Sequence, residues 1–131
     1  MSDIQWVNDK RVKSSVEQDM VNHPPHYKDA SGIECIEVTK HMQFCGGNCF
    51  KYLYRAGKKG STVEDLKKAI WYAERACELD ENLNQEARDE IREVRRYREL
   101  GIQNAMRAMC FSNWMLVIEW IELEIKRLES E

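Results

Sequence analysis

The chain has 131 residues, 43% of them apolar and 33% charged, and carries a net charge of -3. This bounds it to one domain with one modest core and excludes collagen-like and wholly disordered classes. The slightly acidic balance excludes a general nucleic-acid coat, which needs a basic excess over a whole face, but leaves room for a small anionic ligand on a local patch. Five cysteines, an odd number, and a polar N-terminus without a secretory pattern point to free thiols in a reducing cytosol. The longest apolar stretch, 105–121, contains Arg107, Ser112, Asn113 and Glu119 and falls short of the ~20 residues a membrane span requires.

Residues 1–20 read as a polar arm, because Ile4, Trp6, Val7, Val12 and Val16 are too scattered for a helical stripe. Such an arm is mobile or ordered only against a partner subunit. At 21–27 (VNHPPHY) two prolines fix φ and remove two backbone donors, so this segment is extended. It either holds His23, His26 and Tyr27 over a ligand or simply stiffens the entry to the first helix.

Ser31 followed by Glu34 has capping-box spacing and predicts a helix over 32–43, buried through Ile33, Cys35, Ile36, Val38 and Met42. Gly46 and Gly47 then break the chain. A second helix over 48–56 follows, stopped by Gly57. Asn48, Lys51, Tyr52 and Arg55, at i, i+3, i+4 and i+7, share one of its faces; Cys49, Leu53 and Ala56 share another. The turn 57–60 (GKKG) leads into a third helix, begun by Ser61 with Glu64 or Thr62 with Asp65. Its apolar stripe is Leu66, Ile70, Ala73 and Cys77, flanked by Lys67, Lys68, Trp71 and Tyr72. Two helices on so short a turn pack antiparallel, as a helical hairpin.

After a break at 80–84, a charged helix over 85–100 carries a thin stripe of Leu83, Ala87, Ile91 and Val94. Its five arginines and five acids between 86 and 99 favour pairing within the helix over RNA binding. Gly101 ends it. The last helix, 103–128, is apolar on nearly all sides through its first half, more than so small a domain readily surrounds. Burial in a homo-oligomer interface resolves this.

Chemistry concentrates at 45–68. No acidic residue falls between 38 and 63, yet Lys40, Lys51, Arg55, Lys58 and Lys59 do, interleaved with Phe50, Tyr52 and Tyr54. Cations beside aromatic rings suit an anionic ligand with a flat ring, such as a nucleotide. Lys51 and Arg55, one turn apart, reach one phosphate, and the amides at 61–63 add donors at a helix start. Tyr52 or Tyr54, with Trp71 or Tyr72 opposite, would sandwich a base. The competing reading is a solvated basic surface; the acid-free run together with its aromatic company favours binding.

A Walker loop is rejected, because Tyr52 stands where its first glycine belongs and Lys59 where Ser or Thr belongs. His23, His26, His41, Cys35, Cys45 and Cys49 are zinc-type ligands without paired spacing, so no metal site is expected and buried free thiols are preferred. Glu34 and Glu37 have a magnesium-binding ExxE spacing but lack a second acidic pair at ExxD spacing, so a capping Glu34 with a solvated neighbour, Glu37, is preferred.

VNHPPHY, Gly32-Ile33-Glu34, NCFKYLYRAGKKG and EDLKKAIWYAERA together resemble the SaV-like family of small bacteriophage proteins over roughly residues 21–76. Some coliphage relatives in that family are nucleoside-monophosphate kinases without a Walker loop. The resemblance implies a phage origin, action in the cytoplasm of the infected bacterium, and a kinase alternative. In that alternative the chemistry of the residues makes Lys51, Arg55 and Lys58 the groups that neutralise developing charge and His23, His26 or Glu34 the proton-handling candidates.

The expected molecule is all-α: an arm (1–20), a core with the basic hairpin (21–80), and a charged helix with a long apolar oligomerisation helix (81–131). It binds a nucleotide-like anion through His23, His26, Tyr27, Asn48, Lys51, Tyr52, Arg55, Lys58, Lys59, Lys68 and Trp71, with no cofactor. The favoured function is sequestration of a nucleotide immune signal as phage counter-defence. A nucleoside-monophosphate kinase is the alternative, and a nucleotide pyrophosphatase using Glu34 and Glu37 is the weaker one. No membrane and no nucleic-acid polymer are expected as partners.

Overall fold

Every regular element in the computed structural model is a helix among the described residues, 29–58 and 60–131. The elements are α1 (Cys35–Thr39), α2 (Phe44–Arg55), α3 (Thr62–Glu78), α4 (Gln85–Arg95), α5 (Leu100–Cys110) and α6 (Trp114–Glu129). The all-α class is as expected. The arm, His23, His26, Tyr27 and Lys59 lie outside the described residues. No described helix is long and apolar enough to cross a membrane.

Two helical hairpins, α2–α3 and α5–α6, pack through α3 against α6, while α4 lies on α5 and α1 braces α2 and α4. Phe50, Leu53, Tyr54, Leu66, Ile91, Met106, Met109 and Ile121 are fully buried between them. Burying a side chain of this size contributes about 1.5–3 kcal/mol each, which makes this shared core the main source of stability.

Several boundaries differ from the pattern in the sequence. The first helix is only five residues long and starts at Cys35, with the Glu34 N–H donating to Glu37 Oε2 at 3.1 Å. Ser31 instead closes the preceding turn, its N–H donating to Asp29 Oδ1 at 2.9 Å and its Oγ accepting from Ile33 N–H at 3.1 Å. Gly46 and Gly47 do not break the chain; both are buried inside the first turns of α2. The buried stripe of α3 is Asp65, Leu66, Ala69, Ala73 and Ala76, so Ile70 is only partly covered and Cys77 is exposed.

The expected long C-terminal helix is two. Ser112 adopts a left-handed φ of 54°, and Asn113 caps the start of α6 by accepting from Leu116 N–H at 3.1 Å. Gly101, read as a stop, lies inside α5, where an added Cβ would overlap the Glu124 carboxylate. It is a contact glycine. Folding back lets α5 and α6 bury Met106, Met109, Val117 and Ile121 within the chain, so most of this apolar surface needs no partner subunit. Arg92–Asp89 and Arg96–Glu93 pair at i, i+3 along α4 as its charge pattern suggests.

α2 is held at both ends by side chains from distant parts of the chain. At its start, Glu81 accepts from Cys45 N–H (3.1 Å) and Gly46 N–H (2.7 Å), while Trp114 Nε1 donates to the Glu81 carbonyl (2.9 Å). A Cβ on Gly46 would meet Trp114 Cη2 at 2.9 Å, so glycine is what admits both groups. At its end, Arg98 donates to the carbonyls of Leu53 and Ala56, both at 3.2 Å, and pairs with Asp29 at 3.4 Å. An acid at the N-terminus and a base at the C-terminus complement the helix dipole.

Removing either clamp leaves buried backbone groups unpartnered. Glu81→Ala and Arg98→Ala should each lower the unfolding free energy by about 2–4 kcal/mol in urea titrations. Arg96→Ala, which loses only an exposed i, i+3 pair, should leave the midpoint nearly unchanged. A Glu81→Ala midpoint equal to wild type would refute the clamp.

Candidate functional site

The anticipated face on α2 exists: Asn48, Lys51, Tyr52 and Arg55 are partly exposed, while Cys49, Leu53 and Ala56 are buried beneath them. Across the hairpin, α3 presents Lys68 and Trp71 to solvent, because its Ala69, Ala73 and Ala76 face inward and allow close approach to α2. Tyr52 is where the two helices meet chemically. Lys51 Nζ lies 4.6 Å and Lys68 Nζ 5.5 Å from its ring centroid. Two ammonium groups are thereby gathered on one ring, each favoured by its π-face.

Arg55 is placed by three features. Its Nε lies 3.6 Å from Asp65 Oδ1, a carboxylate that is almost fully buried in the first turn of α3. Its Nη2 reaches the end of the turn, 3.9 Å from where a Cβ of Gly60 would stand. Its carbonyl accepts from Lys58 N–H at 2.8 Å, closing the turn over Gly57, whose φ is 85°. The guanidinium thus spans the gap between α2 and the start of α3, where Ser61 Oγ accepts from Glu64 N–H at 3.2 Å. Among the described residues neither Arg55 Nε nor Asp65 Oδ2 has a hydrogen-bond partner, although both atoms are buried.

Asp65 is the residue that sequence reasoning missed as part of this site. Burial pushes its carboxyl above the ordinary aspartate range, and the nearby Arg55 and Lys68 charges pull it part of the way back. One signal was available: an acid sits beside Leu66 on the apolar stripe that continues to Ala69, Ala73 and Ala76, where a solvated residue would not be placed.

The aromatic sandwich does not form as anticipated. Tyr54 is in the core, its hydroxyl donating to the Ile33 carbonyl at 2.7 Å. Tyr52 and Tyr72 stack on each other at 6.0 Å between centroids and 15° between planes. A third ring between two others needs about 7 Å, two van der Waals thicknesses, so this pair cannot receive a base. Phe44 and Trp71 pack edge-on against Tyr72, and Arg75 covers Trp71 at 4.5 Å, making a cationic aromatic shelf. Phe44 is an additional member of it.

The remaining predicted residues lie apart. Asn48 donates to the Phe44 carbonyl and lines, with Lys51 and Gln43, a hollow of about 250 Å³ between α1 and α2. Lys58 points the other way, 5.1 Å from the buried Tyr54 ring, and lines a cavity of about 300 Å³ shared with Tyr97, Arg98 and α6. Cys35, Cys45 and Cys49 are core thiols; burial raises Cys35 to about 12 and Cys49 further, which makes them poor nucleophiles. No group of three or more metal-type ligands forms among the described residues. Glu37, expected as a solvated neighbour of a capping Glu34, itself accepts from the Glu34 N–H in the α1 cap.

The sign of the Asp65 shift gives a test. A folded-state value raised above the unfolded one favours folding below the ordinary aspartate range and loses that contribution as pH rises through the folded value. Asp65→Asn abolishes this titration, so the variant's stability relative to wild type should increase from pH 3.5 to pH 7. Urea titrations across that interval measure it; a difference independent of pH would contradict the assignment.

With this geometry in view, comparison with known proteins is informative. Residues 21–74, which include α1, α2 and most of α3, match a protein family of unknown function, DUF3310. Over 83 residues the chain is 37% identical to the Gene 1.7 protein of Enterobacteria phage T3, covering 56% of this chain and 50% of that relative. It spans about half the length of that curated relative. No solved structure matches the chain. These likenesses support a small bacteriophage protein family.

Proposed function

We propose that this phage protein binds a phosphorylated nucleotide, or a signal derived from one, through the cationic face of the α2–α3 hairpin. The observation that carries this reading is the placement of Arg55. Its guanidinium lies between the buried Asp65 and the glycine turn, beside the start of α3, with the Lys51 and Lys68 ammonium groups gathered on the neighbouring Tyr52 ring. A phosphate there meets a planar charged donor held in one orientation, two mobile cations and helix-start amides. The favoured role is sequestration in the cytoplasm of the infected bacterium: the protein captures a nucleotide immune messenger and blunts host defence. Self-association belongs to this proposal, since Phe111, Met115 and Leu123 remain exposed around α6.

One observation favours a second reading, a nucleoside-monophosphate kinase without a Walker loop. Asp65 places a carboxylate that holds its proton more tightly than usual directly beside the phosphate-binding cations. It could accept a proton while Arg55, Lys51 and Lys68 offset charge developing on a transferred phosphoryl group. The resemblance of the hairpin motifs to a family that includes such kinases motivates this second reading.

Purified protein incubated with nucleotides, cyclic nucleotides and ADP-ribose-derived signals, then heat-denatured and chromatographed, separates the readings. Intact ligand recovered stoichiometrically supports sequestration; a new di- or triphosphate supports the kinase. Arg55→Ala should weaken retention roughly 10- to 100-fold, the loss of a charge-assisted hydrogen bond, with unchanged circular dichroism. Retention of no nucleotide by the wild-type protein would overturn both readings.

A further inference from the structure

We propose that the base of the bound nucleotide lies in the hollow between α1 and α2, stacked on Phe44, and that Lys51 joins this hollow to the phosphate site. The inference rests on the phosphate reading above and supplies the other half of the ligand.

Two other places for a base are closed or unconnected. On the aromatic shelf, Tyr52 and Tyr72 stack on each other and Arg75 lies over Trp71 at 4.5 Å. The cavity beside Lys58 and Arg98 is lined by none of Arg55, Lys51 or Lys68. The hollow differs, because Lys51 is both one of its walls and the cation 4.6 Å from the Tyr52 ring centroid. At about 1.5 Å of rise per residue, Asn48 stands about 4.5 Å before Lys51 along α2 and Arg55 about 6 Å after it. Hollow, Lys51 and Arg55 therefore follow one another along a single helix face, as base, sugar and phosphate do in a nucleotide.

The lining suits a flat ring with a polar edge. Phe44, the first residue of α2, is 72% exposed, and among the described residues its ring makes only an edge-on contact with Tyr72. An aromatic ring so placed is a stacking platform, and every base has a π-face to lay on it. A Cβ on Gly47 would stand between Met42 and Thr39, 3.6 and 3.8 Å from their Cβ atoms, so the glycine leaves the hollow its depth. Gln43 Oε1 accepts from Asn82 N–H at 3.0 Å and Asn48 Nδ2 donates to the Phe44 carbonyl at 2.9 Å, which holds both amides in place. Among the described residues, Gln43 Nε2, Asn48 Oδ1 and the Thr39 hydroxyl make no hydrogen bond of their own. The hollow thus offers a donor, an acceptor and a group that serves as either, a set that matches the mixed edge of any base without preferring one. Its volume of about 250 Å³ is just below that of sites enclosing a whole small ligand, which suits one ring of a ligand whose phosphate lies outside. No acidic residue lines it, so nothing there opposes an anion at Lys51.

Calorimetric titrations with the adenosine, guanosine, cytidine and uridine 5′-monophosphates, and with ribose 5-phosphate, which keeps the sugar and phosphate and lacks the base, test the assignment. At least one nucleotide should bind wild type about tenfold more tightly than ribose 5-phosphate, the contribution of one stacked base. Phe44→Ala, at an exposed position, should cut that advantage to about threefold or less while leaving ribose 5-phosphate affinity unchanged. Asn48→Ala, on the outer face of α2, should weaken the same nucleotide about threefold to tenfold and ribose 5-phosphate not at all. Arg55→Ala should weaken nucleotide and ribose 5-phosphate by the same factor, which separates the two halves of the site. Circular dichroism checks that each variant folds. A full nucleotide advantage retained in folded Phe44→Ala and in folded Asn48→Ala would overturn the hollow as the base site. If ribose 5-phosphate binds wild type and no nucleotide binds more tightly than it does, the base has no site, and this inference falls while the phosphate reading stands. If none of the five binds wild type, the phosphate reading falls and this inference with it.

Discussion

The structure depends on how α2 is held. That helix carries most of the candidate site, yet its own ends lack local caps: Gln43 and Ala56 offer no side-chain hydrogen bond to it. The missing partners come from far along the chain, a carboxylate from Glu81 at the start and a guanidinium from Arg98 at the end. Each belongs to a connection between helices, so satisfying the ends of α2 also fixes where α3 stops and where α5 begins. The 79–84 connection is tied further, with Asn82 N–H donating to Gln43 Oε1 and Leu83 N–H to Ser112 Oγ. One helix therefore organises both hairpins through its ends, and the core between them follows.

This arrangement explains how the site tolerates its own charge. Arg55, Lys51 and Lys68 repel one another across a short hairpin, and a buried Asp65 adds a desolvation penalty that Arg55 only partly offsets. Neither feature favours folding. Both are sustained because α2 is fixed at its termini and by a fully buried inner face of Cys49, Phe50, Leu53 and Tyr54. On this one helix apolar residues and end caps supply the hold, while the outer face carries the electrostatically unfavourable charge.

The sequence revealed the local parts of this and hid the long-range ones. The Asn48–Arg55 face, the Gly57 stop and the Ser61 cap depend on neighbours within a turn or two, and each is legible from spacing. Gly46 and Gly101 were misread because a glycine at a tight helix contact looks, in one dimension, like a break; only Trp114 and Glu124 in space explain them. Ser112-Asn113 was the signal for the α5–α6 turn, outweighed by the hydrophobic run around it. Glu81 and Arg98 look like ordinary members of charged stretches. Tyr54 cannot be told from Tyr52 by residue type, although the helical wheel puts it nearer Phe50 and the core.

Gly101 has one more implication. The carboxylate of Glu124, a wall of the cavity, rests where the side chain of residue 101 would otherwise be, and Arg127 rests on that carboxylate in turn. The shape and charge of that wall are therefore set by a position that contributes no atoms to it. Any larger residue there would displace Glu124 and Arg127 together and remodel the cavity from behind its wall. Drift at a single backbone position thus gives the fold a way to reshape this cavity while leaving the cationic hairpin intact.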